Sequence, residues 1–554
     1  DLITATAGTS NVRIGVNAGN SITSGGNYNV VVGDEAGTAL TTAQYNVAVG
    51  FGALESEDAD DGNVAIGRKA LATLNAGTDG HNVAVGYVAG VDMTTGVQNT
   101  LIGSFAGDDL TDADFNTALG YLALGTDTLG SKSTALGYGA LKDQNFTTAT
   151  DSLNVAVGHL TGENVTTGTF NTLIGALAGD ALTTGQQNVA LGYNALGAED
   201  TGNKSVAVGI SALASQNNDD NNFNVAVGHQ AGFSVNTGTL NTLIGGLAGD
   251  ALTSGNSNVA LGYVALSTDT LGDRAVALGY GALNQQNFAT TTDNYNVGVG
   301  YSAGLSITTG IQNALLGGVA GDSLTDADNN VAVGYAALTS DTLGSKSVAI
   351  GKSALQSQNF TTATDSFNVA VGASAGLNVT TAVENTLIGS LAGDALTTGG
   401  LNVAVGFGAL TTEDTGSRNV AIGYEALENQ NSDTTNYNTA VGFQAGRNIT
   451  TGTNNTIVGG LAGDALTEGF ANQLFGYGAG GSLTDADYNI AIGHSALDAD
   501  TKGNRAVAIG HTALSSQNFT TSTDNYNVAI GFSAGLSVTT GVQNTLIGGL
   551  AGDA

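Results

Sequence analysis

The 554-residue sequence contains no proline, no cysteine and no tryptophan, and only 13 lysines and arginines. Each absence excludes something. Without cysteine there is no disulfide, no thiolate nucleophile and no zinc or iron–sulfur site that needs sulfur. Thirteen scattered cations against 47 acidic residues give a net charge of −34 at pH 7. They leave no cluster of Lys and Arg to neutralise phosphates, which excludes nucleic acid as a partner. With no proline, and without glycine at every third residue, the 84 glycines are not those of collagen. Charged residues are 11% of the chain, well under half of the usual share of about 25%. Hydrophobic residues, at 41%, are too many for a disordered acidic chain. An ordered, repetitive protein built from small residues is left.

One phrase recurs along the chain: Asn, Val or Thr, a small or apolar residue, Val/Ile/Leu, Gly, two variable residues, then Ala. Anchored on its glycine (Gly15, Gly33, Gly50, Gly67, Gly86 and onward to Gly531 and Gly548), it occurs 31 times. Of the 30 intervals, 22 are 17 residues long, one is 18, three are 19 and four are 21. Length alone suggests three or four domains, but this regularity predicts a solenoid of stacked coils. A second period overlies the first: Gly86 to Gly158, Gly228 to Gly300 and Gly300 to Gly372 each span 72 residues, and Gly158 to Gly228 spans 70. Each block holds four units, two headed by Ala-Gly and two by Ala-Leu, while Gly442 to Gly531 carries one extra unit. Duplication in whole-coil steps leaves that mark, because each coil touches only its neighbours.

In Asn154-Val155-Ala156-Val157-Gly158, Val155 and Val157 share one face and Ala156 takes the other, as a short strand requires. The glycine permits a sharp bend, and turn-rich residues such as Leu182-Thr183-Thr184-Gly185 return the chain to the next coil. The predicted fold class is all-β, a parallel β-solenoid. At roughly 4.8 Å per coil, the stack would be a rod about 150 Å long. Asn stands four residues before the anchor in 26 of 31 units, the exceptions being Ser133, Ser205, Ala275, Ser347 and Ala506, so a ladder of side-chain amides is expected. The residue after the anchor is Tyr or Phe in 14 units, which predicts stacked rings. The second strand face holds Ala in most units and Leu or Ile once per block: Leu101, Leu173, Leu243, Leu315, Leu387, Ile457 and Leu546. Strands apolar on both faces are buried on both, and a 17-residue coil cannot cover its own outside. These seven residues are therefore expected to pack against other chains, in an oligomer whose axis parallels the stack.

The phrase NVAVGxxAG, with its variants NVAIG and SVAIG, resembles the repeat of trimeric autotransporter adhesin heads, the YadA-like left-handed parallel β-roll. Similar repeats occur in tail fibres of bacteriophages. The resemblance covers residues 11–553. It implies left-handed coils, a homotrimer, and a structural or adhesive fibre, extracellular at a cell surface or on a virion, with no catalytic residues. The coil here is longer than the family's typical head repeat, so its loops are longer. The chain carries no coiled-coil heptads, neck sequence or membrane anchor. It opens at Asp1 and ends at Ala554 inside a repeat phrase, so residues 1–554 are expected to be one continuous repeat region, a segment of a longer fibre without membrane insertion.

Candidate chemistry is sparse. His159, His229, His494 and His511 each follow an anchor glycine, where aromatics otherwise stand; His81 does not. His494 and His511, one coil apart, are a conceivable metal pair, but the preferred reading is ring-for-ring replacement in the stacking column. Asp112 and Asp114, Asp326 and Asp328, and Asp485 and Asp487 place two acids two apart in turns. Ca²⁺ is the one cofactor such oxygen ligands suggest, beside the plainer reading of an acidic, solvated surface. No Ser, His and acid converge for nucleophilic catalysis, and an enzyme is not expected. The longer intervals carry amide-rich loops with one aromatic, at Phe146, Phe288, Phe360 and Phe519. Those loops suit contact with a cell-surface glycan or protein through avidity, and the alternative is a Phe folded back to cover its own loop. Three functions remain: a structural or adhesive fibre, a phage tail or receptor-binding fibre, and an ice-binding solenoid. The last needs threonines in register on every coil, whereas Thr183-Thr184 and Thr237-Thr239 recur only in some.

Overall fold

The computed structural model describes residues 2–3, 7–77 and 79–553. The chain is all-β, a parallel β-solenoid of about 31 coils about 17 residues apart. Among the described residues no helix is long and apolar enough to cross a membrane. The expected span of 1–554 includes residues 1, 4–6, 78 and 554, which lie outside the described residues. The chain divides into two compact units, Asp1–Ala275 with Asn287–Thr292, and Val276–Gln286 with Asp293–Ala554.

Each coil gives one three-residue strand that ends at its anchor glycine. In the first unit Val225–Val227, Thr242–Ile244 and Val259–Leu261 run parallel, with Ala226 opposite Leu243 and Leu243 opposite Ala260. Val369–Val371, Thr386–Ile388 and Val403–Val405 repeat this register in the second. The anchor glycine is there for two reasons. At Gly245 φ is +135°, a conformation side chains rarely adopt, and a Cβ would stand 2.4 Å from the carbonyl oxygen of Gly262.

The two strand faces are the reverse of the expectation. Leu101, Leu173, Leu243, Leu315, Leu387 and Ile457 are fully buried inside the solenoid rather than on a surface another chain could reach, and Leu546 is half-buried. The flanking residues point out instead: Leu119 is 46% exposed, Leu261 45% and Ile174 39%. Coil width decides the matter. The interior is narrow, so Ala fills most inward positions, and Leu enters only between two coils that both carry Gly four residues past the anchor. Leu243, for example, lies 2.7–2.8 Å from where the Cβ atoms of Gly232 and Gly249 would be.

A second exchange keeps the interior full. In Ala-Gly coils the residue seven past the anchor is aliphatic, such as Leu110 or Leu252; in Ala-Leu coils the Leu four past the anchor takes its place, such as Leu124 or Leu266. The two positions compete for one volume, since a Cβ on Gly107 would stand 2.6 Å from Leu110. Both Leu124 (φ 53°) and Leu266 (φ 54°) adopt the left-handed conformation that Gly takes in the other coils. That strain costs about 1–2 kcal/mol each, which the buried Leu offsets.

The asparagine ladder runs through the backbone more than through its own amides. Asn224 Oδ1 accepts the Asn241 N–H at 2.9 Å, and Asn241 Nδ2 donates to the Gly255 carbonyl at 2.9 Å. Asn241 Oδ1 then accepts from the next coil, the Asn258 N–H, at 3.0 Å. Each wholly buried amide thus satisfies a strand N–H on one side and a return-loop carbonyl on the other.

Gly245→Ala is expected to lower local stability by roughly 3 kcal/mol, read as lost amide-exchange protection across residues 225–262. The neighbouring Gly246→Ala, whose Cβ would meet only the Tyr263 ring at 3.4 Å, should stay within about 0.5 kcal/mol of the native protein.

Candidate functional site

The long intervals follow one plan that sequence reasoning missed. Seven times an Ala-Leu coil carries an acid seven residues past its anchor: Glu57, Asp127, Glu199, Asp269, Asp341, Glu413 and Asp500. Seventeen residues later the next coil carries Gln144, Gln216, Gln286, Gln358, Gln430 or Gln517; after Glu57 alone the residue is Leu74. The length of the acid follows the length of the insertion. Glu precedes the three 19-residue intervals and Asp the four 21-residue ones. That correlation was the available signal.

The amide and acid meet in the coil interior. Gln144 Nε2 donates to Asp127 Oδ2 at 2.5 Å and to Ser133 Oγ at 2.9 Å, while its Oε1 accepts from Asn154 Nδ2 at 2.9 Å. Gln144 thereby bridges the gap that Ser133 leaves in the asparagine ladder. Asp127 Oδ1 accepts the N–H groups of Gly130 at 3.1 Å and Phe146 at 3.2 Å, pinning the inserted loop to the coil before it. Asp341 with Gln358 and Asp500 with Gln517 repeat the contact at 2.5 and 2.6 Å. The Glu copies reach the same end with a second amide: Glu199 Oε2 accepts from Gln216 at 2.8 Å and Asn222 at 3.1 Å. Burial raises the Asp127, Glu199 and Glu413 carboxyls above their ordinary values, and these donors pull them back. A raised carboxyl contributes stability below its ordinary pKa and loses it as pH rises through the shifted value, so these coils are held more firmly at low pH.

The four phenylalanines proposed as contact residues point inward. Phe146, Phe288, Phe360 and Phe519 are 4–7% exposed. Phe146 folds against Gly130, where a Cβ would stand 2.7 Å from the ring. The loop backbone needs a lid over its buried carboxylate, and the ring supplies it. Exposed at the loop tips are Asn145, Thr147 and Thr148, with Asn359, Thr361 and Thr362 in the equivalent loop of the second unit. Beside the insertions, a cation at the head of the long coil reaches an acid of the insertion and a ring of the next coil. Lys346 Nζ lies 2.5 Å from Asp365 Oδ2 and 5.2 Å from the Phe367 centroid, and Arg505 pairs likewise with Asp524 and Tyr526. These contacts are exposed and contribute little each.

The paired aspartates are held apart as separate acceptors. Asp112 Oδ1 takes the Thr95 hydroxyl at 2.6 Å and Asp114 Oδ1 the Val97 N–H at 2.8 Å. Asp326 and Asp328 do the same with Thr309 and Ile311, at 2.7 and 2.8 Å, and Asp487 accepts the Phe470 N–H at 2.9 Å. Asp485 stands beside Asp487 and raises its pKa, second to burial. Among the described residues no three His, Asp or Glu side chains gather as a metal site. His494 and His511 stack with centroids 5.2 Å apart, in one column with Tyr477 and Phe532. The unit that breaks the four-coil block, anchored at Gly476, carries a groove of about 300 Å³ between Asp464 and Asp498, floored by Gly478 and Gly481.

The most extended chemical surface is the outward side of the strands. The residue just before the anchor is aliphatic in 30 of 31 coils and Phe475 in the other. Next to it runs the aromatic column, with Tyr121 44% and Tyr138 49% exposed and their rings stacked at 5.5 Å. No protein-family model matches the chain, and no curated protein matches it either.

Gln144→Leu is expected to cost about 2 kcal/mol, because it leaves the buried Asp127 oxygen without its amide donor. The measurement is faster amide exchange at residues 144–154, with Thr147→Ala at the exposed tip as the silent control.

Proposed function

We propose that this chain is the repeat region of a structural or adhesive extracellular fibre, a homotrimer that presents its inserted loops at regular intervals. The outward aliphatic column carries the reading. An apolar row repeated on every coil is far more than a monomer leaves in water, and it marks an interface. A partner that matches it along its length must share the coil spacing, which another copy of the chain does by construction. The resemblance to trimeric adhesin heads supplies the number three. The acidic outer surface keeps such fibres soluble and apart, and the exposed Asn and Thr loop tips are the groups that would meet a glycan or protein.

Light scattering is expected to give three times the chain mass of 54.7 kDa. Replacing the outward residue before the anchor with Asp in every coil, Leu119, Ile174 and Leu261 among them, should reduce this to one chain while the β-sheet circular dichroism persists; unchanged mass would sink the proposal. Leu173→Asp, by contrast, places a charge inside the coil and should unfold it locally. Presentation is checked separately. Thr147→Ala with Thr148→Ala, made in every equivalent loop, should abolish retention on immobilised glycans or host surface protein without changing the mass.

A further inference from the structure

The first insertion departs from the plan of the others at three positions. Where Glu199 faces the amides of Gln216 and Asn222, Glu57 faces Leu74 and Gly80, and where Gly202 stands in that coil, the first has Asp60. Glu57 has therefore lost both amide donors and gained a second carboxyl. Glu57 and Asp60 are both fully buried. Glu57 Oε1 accepts the N–H groups of Ala59 at 3.1 Å and Asp60 at 2.7 Å, and Asp60 Oδ2 accepts the Ala76 N–H at 2.6 Å. Among the described residues the remaining oxygens, Glu57 Oε2 and Asp60 Oδ1, have no donor, and the turn that joins Glu57 Oε1 to the Asp60 N–H keeps the two carboxyls on one short loop.

Two buried acceptors cannot face one another unpaired, since each would forfeit its hydration with nothing in return. We infer that Glu57 and Asp60 hold one proton between them, the Glu57 carboxyl donating to the Asp60 carboxylate, and that this proton takes the part the glutamine amide plays in the other insertions. The bond makes this insertion a pH-sensitive joint built on a shared proton rather than on an amide donor. Other charged groups nearby are Glu55, Asp58 and Asp61 on the same loop and Asp79 and His81 on the following one. Asp58, Asp79 and His81 are exposed and Glu55 and Asp61 half-buried. The coil before contributes Tyr45, which is exposed. Asp60 is the group that acts on Glu57, whose carboxyl is pushed from its ordinary 4.5 up to about 8, first by burial and then by that bond. Folded-state affinity for the proton is raised, so the stabilisation is complete below pH 4.5 and gone once the pH passes about 8.

The test uses the 554-residue protein and Glu57→Gln, which replaces the proton by a permanent N–H donor. Infrared difference spectra at neutral pH, native minus Glu57→Gln, are expected to show the carbonyl band of a protonated, exchange-shielded carboxylic acid. Amide exchange at residues 55–62 and 75–82, corrected for its intrinsic rate, should speed up about tenfold per pH unit up to about pH 8 and then level off. The same profile should be flat in Glu57→Gln and across residues 229–244, which hold no carboxyl. Should Glu57→Gln fail to fold, Leu74→Gln restores the missing amide and is expected to shift the levelling point to lower pH. A missing acid band overturns the inference, and so does a flat native profile. Protection that depends on added Ca²⁺ would also overturn it, by placing a cation between the two carboxyls.

Discussion

Consecutive coils approach closely at the anchor glycines, where a single added carbon on Gly33 or Gly103 would sit 2.3–2.5 Å from the next coil's carbonyl oxygen. That approach sets the rise per coil, and the buried asparagines lock it by joining each strand N–H to the amide of the coil before. A stack with a fixed rise has a fixed interior volume per coil. Every other residue choice inside must then conserve volume. The exchange of a Leu four past the anchor for an aliphatic residue seven past it is one consequence, and the inward Leu wedged between two glycine coils is another. Left-handed leucines at Leu54 and Leu141 persist for the same reason, because in their coils a polar residue, Glu57 or Gln144, stands seven past the anchor.

Insertions are where the constraint is hardest to keep. Two or four additional residues must be absorbed without altering the rise, or the strands on either side would lose register. The buried acid and glutamine do this by tying the loop's first N–H groups back to the previous coil and by carrying the asparagine ladder across the gap. A shorter insertion leaves the loop further from the coil interior, and the longer reach of Glu matches it. Burying a carboxylate is expensive unless several donors meet it, which explains why the arrangement comes as a set. Acid and Gln recur together in six insertions, and a covering Phe joins them in the four that use Asp.

Much of this was legible in the sequence, and the part that was not has a definite cause. Thirty-one near-identical phrases reveal period, parallel register and the role of the glycines directly, because a bend or strand proposed for one unit must serve all of them. Alternation along Val155-Ala156-Val157 likewise shows two faces. It does not say which is inside, since both are apolar. The small residue faces inward, against the habit of placing the bulkier side chain in the core, because a 17-residue coil is too thin for two Val columns. Phe146 was ambiguous for a similar reason. An amide-rich loop with one ring looks the same whether the ring is a lid or a contact. What tips it is Asp127, seventeen residues before Gln144 and invisible as a partner until the coil period is used to align the two.

Once the interior is saturated in this way, little is left there to carry a function. Most of its polar groups are matched to neighbours one coil away, and its apolar groups fill a volume with little room to spare. Specific chemistry must then lie on the outer columns, each of which repeats with the coil. A single exposed Ile beside a Tyr would mean nothing on an ordinary protein. The same pair repeated at a spacing of about 5 Å forms a surface whose affinity for a matching column grows with every coil added, so even a weak contact per coil sums to a stable one. Length is thus the means by which a chain of small residues, with no disulfide, makes its own stability and, in the proposed trimer, would make its attachment to other copies.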